Sequence, residues 1–220
     1  MQEDKKLTKG SLEVICGSMF SGKTEELMKR LRRAEYAKQN VLTIKHKIDI
    51  RGRHAYITSH DGRERFAFSV ENKNESLEKI LDLANKNISV VGLDELHFFP
   101  KSVVPVMMKL VESGKRVITS GLDLDFRGEP FEQMSLALSL ADRVTKLKAI
   151  CMKCGKDAHH TQRVIDGKPA DYNDPIILVG AKEFYEARCR DCFQINKPGE
   201  SQAKDESKFM DVKSFRQTQV

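Results

Sequence analysis

The sequence of 220 residues has no tryptophan, six prolines and 7% aromatic residues. Interleaved aromatics, on which single-stranded nucleic acids stack, are therefore scarce. Long apolar runs are also missing. The longest, such as IILVGA, fall far short of the roughly 20 apolar residues that cross a bilayer. The first ten residues, MQEDKKLTKG, lack an apolar centre and do not read as a secretory signal. These absences argue against a membrane protein and point to the cytoplasm. Cysteine is sparse, five in all, but four of the five fall into two C-x-x-C pairs.

What is present fits a folded, soluble chain: 40% apolar and 32% charged residues. The length allows one large domain or two unequal ones. The net charge of +6 is modest, yet residues 23–53 hold ten Lys or Arg against four Asp or Glu. Such a window can be a nucleic-acid footprint, or a solvated helix face beside a phosphate site. Without interleaved aromatics the second reading is preferred.

Along the chain, apolar runs alternate with helical periodicity. LEVICG, VLTIKH, FAFSV, ISVVGLDE, RVITSGL and RVTKLKAI read as strands. TEELMKRLRRAEYAK, LEKILDLANKN, residues 103–111 and MSLALSLA read as helices. This alternation predicts an α/β fold with a mainly parallel sheet flanked by helices. From Cys151 the chain turns polar and turn-prone, so a small strand-and-loop module is expected there. The expected division is a mobile start (1–10), an α/β domain (11–150), a cysteine module (151–196) and a mobile tail (197–220).

GSMFSGKT, Gly17 to Thr24, fits the phosphate-binding pattern G-x-x-x-x-G-K-[ST]. It follows an apolar strand and opens a helix, the context in which backbone N–H groups and the helix dipole face an anion. Gly17, Ser18, Met19, Phe20, Ser21 and Gly22 would form the cradle. Lys23 would reach the β- and γ-phosphates, and the Thr24 hydroxyl would ligate Mg²⁺. Asp94 and Glu95 end an apolar strand at the edge where open α/β sheets bind ligands. An Asp there can hold Mg²⁺ beside Thr24. A neighbouring Glu can take a proton from an attacking hydroxyl or water. Strand alternation would point the two carboxylates opposite ways. Phe98 and Phe99 read either as core residues or as a substrate-stacking surface.

Cys151–Cys154 and Cys189–Cys192 read as a closed tetrahedral zinc site that would tie off the 34 residues between the pairs. Such a site is structural, not catalytic. His159 and His160 are possible substitutes, but read as ordinary surface residues. Cys16 reads as a small buried hydrophobe.

These stretches occur together, in this order: GSMFSGKTEELMKRLRR, IKHKIDIRG, SHDG, DELHFFP, LDLDFRGEPF, CMKC with HTQR, and GAKEFYEARCRDC. In this the chain resembles the type II thymidine kinases, the zinc-containing cytosolic kind, from about Leu12 to Cys192. The resemblance implies transfer of the γ-phosphate of ATP to the 5′-hydroxyl of thymidine, with Mg²⁺ and a structural zinc. It makes Glu95 the catalytic base and puts Asp49 and Arg51 among the active-site polar groups. It places Met19, Phe98, Leu122, Phe126, Phe131, Thr161, Leu178 and Tyr185 around the nucleoside. It implies a loop between the cysteine pairs that closes over the base, a homotetramer, and inhibition by dTTP. Neither nucleic acid nor membrane is implied as a partner. One departure stands out: where the family has a small residue and then Gln after the Glu, this chain has Leu96 and His97. Leu96 would press on the pocket or repack the loop, and His97 adds a titratable group beside the base. The alternative function is a zinc-ribbon phosphate-loop NTPase that binds nucleic acid.

Overall fold

The structure is a computed structural model. It describes residues 10–49, 55–59, 62–85, 87–177 and 184–197. The expected mobile ends, Arg51 and Leu178 therefore lie outside the described residues, apart from Gly10 and Lys197.

Strand β1 (Ser11–Cys16) leads into helix α1 (Lys23–Tyr36), then β2 (Val41–His46). The hairpin strands β3 (Tyr56–Thr58) and β4 (Glu64–Phe66) come next, followed by β5 (Phe68–Val70), α2 (Asn74–Leu83) and β6 (Val90–Leu93). A single 3-10 turn (Leu96–Phe98) precedes α3 (Val103–Glu112), β7 (Arg116–Gly121), α4 (Glu132–Leu140) and β8 (Arg143–Lys146). The remainder holds short strands: β9 (Ala149–Ile150), β10 (Asp157–Ala158), β11 (His160–Ile165), β12 (Lys168–Pro169) and β13 (Tyr185–Arg188).

Six strands form one parallel sheet in the order β5-β2-β6-β7-β1-β8. Parallel neighbours need crossovers; helices supply them, except between β2 and β5, which are joined through the β3–β4 hairpin. Side chains alternate across β1. Leu12, Val14 and Cys16 face the core shared with α2, α3 and α4, while Ile15 faces Leu27, Met28 and Leu31 of α1. Buried on both faces, the central strands can be apolar throughout, as Val90 to Leu93 are. Helix α1 presents an apolar stripe and carries Glu25 and Glu26 in its first turn, where acidic groups suit the helix dipole.

Two runs read as single strands are each divided. FAFSV contributes Phe66 to the β3–β4 hairpin and Phe68–Val70 to the sheet edge. RVTKLKAI is split between β8 and β9, and β9 pairs with β10 next to the cysteines. Apolar periodicity marks a strand but not its partner, so a break between two sheets leaves no signal in it. Ile176 and Ile177 form no strand.

Beneath the sheet, the Glu13 carboxylate receives Arg30 of α1 and Arg116 of β7, each at 2.7 Å. Arg30 also bonds Thr145 of β8 at 2.9 Å. One buried acid thus ties three strands to the helix behind the phosphate loop. Burial alone would raise the Glu13 carboxyl, but the two guanidinium groups outweigh it and hold it below the ordinary carboxylate range.

Candidate active site

The loop from Gly17 to Thr24 leaves β1 at the carboxyl edge of the sheet. Gly17 has φ 146°, and a Cβ there would lie 2.4 Å from the Leu147 carbonyl oxygen, so only glycine fits. Phe20 and Gly22 take left-handed conformations, φ 64° and 81°. Alternation of this kind turns successive N–H groups inward, as in an anion-binding nest. Lys23 Nζ and the Ser21 hydroxyl both donate to the Ser18 carbonyl, at 2.7 and 2.8 Å. A cleft of about 500 Å³ opens alongside, lined by Ser21, Gly22, Lys29, Arg33, Arg63 and Leu147 among others.

Across from the loop stands Asp94, one residue beyond β6 and buried. The Thr24 hydroxyl lies 3.2 and 3.4 Å from its two oxygens. Ser120, at the end of the neighbouring strand β7, donates a very short hydrogen bond to the same carboxylate. Parallel register makes the pairing: Leu93 sits opposite Thr119, so the residues that follow meet. Glu95 is not on the strand at all. Its backbone is left-handed, φ 53° and ψ 51°. The two carboxylates therefore diverge through a turn, not through strand alternation. A non-glycine residue in this conformation carries strain of the kind found at working sites.

His97 sits against Glu95. Its Nδ1 is 3.3 Å from the Glu95 carboxylate and also accepts the Leu122 N–H at 3.1 Å. Its ring packs between Phe98 and Phe131, with centroids 4.3 and 5.1 Å away. Leu96 does not press on the pocket. It is fully buried in the main core, and the loop passes so close to Gly121 that a Cβ there would lie 3.2 Å from the Leu96 nitrogen.

Several residues assigned to the nucleoside lie on this same side. Thr161 on β11 accepts the Met19 N–H at 3.0 Å, joining the phosphate loop to the cysteine module. Phe126 and Tyr185 flank a common neighbour, Arg163, whose guanidinium carbon is 4.0 and 5.2 Å from their ring centroids. Asp49 follows β2 at the same sheet edge, buried, 4.0 Å from Lys45 Nζ. Arg51 and Leu178 are outside the described residues.

The four cysteines 151, 154, 189 and 192 converge with their sulfur atoms within 4.8 Å of one another. Ligands at about 2.3 Å from a tetrahedral zinc would stand about 3.8 Å apart, so the four residues fit that ion. Burial would raise the Cys151 thiol, but backbone hydrogen bonds around Cys189, Lys153 and Cys154 outweigh it and lower it to about 6. His159 and His160 stand outside the cluster. His160 is no surface residue: it is buried, stacked on Phe193 at 4.4 Å, and among the described residues neither ring nitrogen has a hydrogen-bond partner. Cys16 is buried as expected, its thiol pushed up to about 11 by burial and then by Asp123.

Ser120 and Arg163 are the participants that sequence reading passed over, while His97 was expected as a titratable group beside Glu95. Ser120 and Arg163 owe their importance to pairing register, and nothing local in TSG or HTQR announces it. Among the described residues no helix is long and apolar enough to cross a membrane. A family model described as thymidine kinase matches residues 10–193 of the chain.

Proposed function

The chain belongs to the thymidine kinase family, a family of nucleoside kinases, and from that premise we propose that it phosphorylates the 5′-hydroxyl of thymidine with ATP, giving dTMP and ADP. The observation that carries this reading is the Thr24–Asp94 contact, which joins the phosphate loop to the strand end bearing Glu95.

In this reading the loop N–H groups and Lys23 hold the β- and γ-phosphates. Thr24 and Asp94 would hold Mg²⁺, which neutralises phosphate charge when bound. Glu95 accepts the proton of the 5′-hydroxyl as its oxygen bonds to the γ-phosphorus. The bond from that phosphorus to the bridging oxygen breaks, and ADP leaves. Arg51 is assigned to the transferring phosphate by resemblance, since a guanidinium suits spread negative charge. Met19, Phe98, Leu122, Phe126, Phe131 and Tyr185 enclose the nucleoside, with Asp49, Thr161 and Leu178 at its polar and backbone contacts. The cysteine module carries part of this wall and would hold it in place through zinc. A cytoplasmic homotetramer inhibited by dTTP is proposed on the same resemblance. Sedimentation with and without dTTP tests it.

The deciding experiment is Mg-ATP turnover with thymidine, deoxyuridine and the other deoxynucleosides, with DNA as a separate additive. Thymidine-dependent ADP release is the expected result. Silence with nucleosides and hydrolysis stimulated by DNA would replace the reading by a nucleic-acid-dependent NTPase. Glu95→Gln should lower kcat by about 10²-fold or more with ATP binding retained. Wild-type turnover in that variant would remove Glu95 as the base.

A further inference from the structure

Arg163 is the largest of the fully buried side chains, with 1% of its surface exposed, and among the described residues no carboxylate pairs with it. A buried guanidinium is costly unless its donors are satisfied. Neutral oxygens satisfy these. NH1 donates to the Pro175 carbonyl and NH2 to the Ile176 carbonyl, both at 2.6 Å. NH2 and Nε donate to the Tyr185 hydroxyl at 2.6 and 3.0 Å. One face lies over Phe126 at 4.0 Å, within the range of a cation–π contact.

The placement matters more than the count. Arg163 projects from β11, where it is the direct cross-strand neighbour of Tyr185 on β13. Phe126 belongs to the loop that follows β7 of the large sheet. The guanidinium therefore joins three separate segments: the Phe126 loop, the chain at Pro175 and Ile176, and Tyr185. An apolar side chain could pack on Phe126 equally well. It could not hold two carbonyls and a phenol in fixed directions, which a planar five-donor fork can.

We propose that Arg163 is a positioning residue of the nucleoside pocket: it sets the separation between Phe126 and Tyr185 and thereby the fit of a pyrimidine nucleoside. This rests on the assignment of those two rings to the nucleoside, made above. The guanidinium touches no reacting atom, and its effect passes through the two rings. Misplacement of a substrate by about 1 Å can cost on the order of 10²-fold in turnover efficiency. The effect should fall mainly on the nucleoside, because the guanidinium contacts Phe126, Pro175, Ile176 and Tyr185, none of them in the phosphate loop.

The test compares wild type with Arg163→Lys, Arg163→Ala and Tyr185→Phe, reading zinc content, the KM for ATP, and kcat and KM for thymidine and deoxyuridine. Arg163→Lys keeps the charge but loses the fork. It should raise the thymidine KM about tenfold or more, with the ATP KM within about twofold. Arg163→Ala should be worse, and millimolar ethylguanidine should restore part of its activity, a rescue that general loosening would not give. Tyr185→Phe keeps the ring and removes the hydroxyl acceptor, so it should move the same parameter in the same direction. It carries the test if the Arg163 variants lose zinc and fail to fold. Wild-type nucleoside kinetics in Arg163→Lys or Tyr185→Phe, or equal rises in both KM values, would overturn the proposal. Absence of thymidine turnover in the wild type would instead overturn the functional reading beneath it.

Discussion

At the residue scale, His97 shows how one proton can be contested. Its Nδ1 lies within reach of both the Glu95 carboxylate and the Leu122 N–H. A neutral Nδ1 accepts from Leu122 and presents a lone pair to the carboxylate. A protonated Nδ1 donates to Glu95 and must release Leu122. The two states give Glu95 different partners and the Leu122 backbone different anchors. His97→Gln cannot titrate, so, with Glu95 as the base proposed above, the limb of the pH–kcat/KM profile set by that base should shift. Superimposable profiles would remove the coupling. That a histidine followed the acid pair was plain in DELHFFP. That its ring turns back onto Glu95, between two phenylalanines, follows from the left-handed Glu95 backbone, which strand periodicity cannot foresee.

At the element scale, the sheet and α1 are held in register by Glu13 in addition to apolar packing. Its partners come from α1 and β7. Glu13→Gln should cost about 1–3 kcal/mol at neutral pH, because it leaves the buried Arg30 guanidinium and the partly exposed Arg116 without their acid. The sign with pH follows from the depressed carboxyl. In wild type the stabilisation is complete above the unfolded value of 4.5 and is lost as pH falls through the lower folded value. The gap between wild type and variant should thus narrow below pH 4.5, as read by urea unfolding at several pH values. A gap that stays constant through that range would assign the loss to packing. The individual elements were legible because period 2 and period 3.6 are local properties. The breaks in FAFSV and RVTKLKAI were not, since they depend on which sheet each half joins.

At the scale of the whole molecule, the phosphate loop touches the strands that follow β8. Met19 and Ser18 bond Thr161 and Ala158 of the cysteine module, across 142 and 140 residues of chain. The four-cysteine cluster lies beside the ends of β9 and β13, in the same part of the chain as that contact. Cys189→Ser should lower zinc content and the melting temperature and raise the nucleoside KM more than the ATP KM. Full zinc occupancy with unchanged kinetics would end the structural role assigned to the site. A chelator added to wild type should produce the same pattern, reversed by added zinc.

The sequence by itself determined the parallel α/β fold, the phosphate loop, the acid pair and the four-sulfur cluster. Each of these needs particular residue types at short, fixed spacings, and such spacings survive without coordinates. Only the tertiary structure decided that Ser120 meets Asp94, that Leu96 enters the core, that His160 is buried, and that Arg163 spans Phe126 and Tyr185. Those contacts join residues that are distant in the chain, and their partners are chosen by strand order and register. Register is set by the packing of the whole sheet, a sum over many weak contacts that no short stretch records.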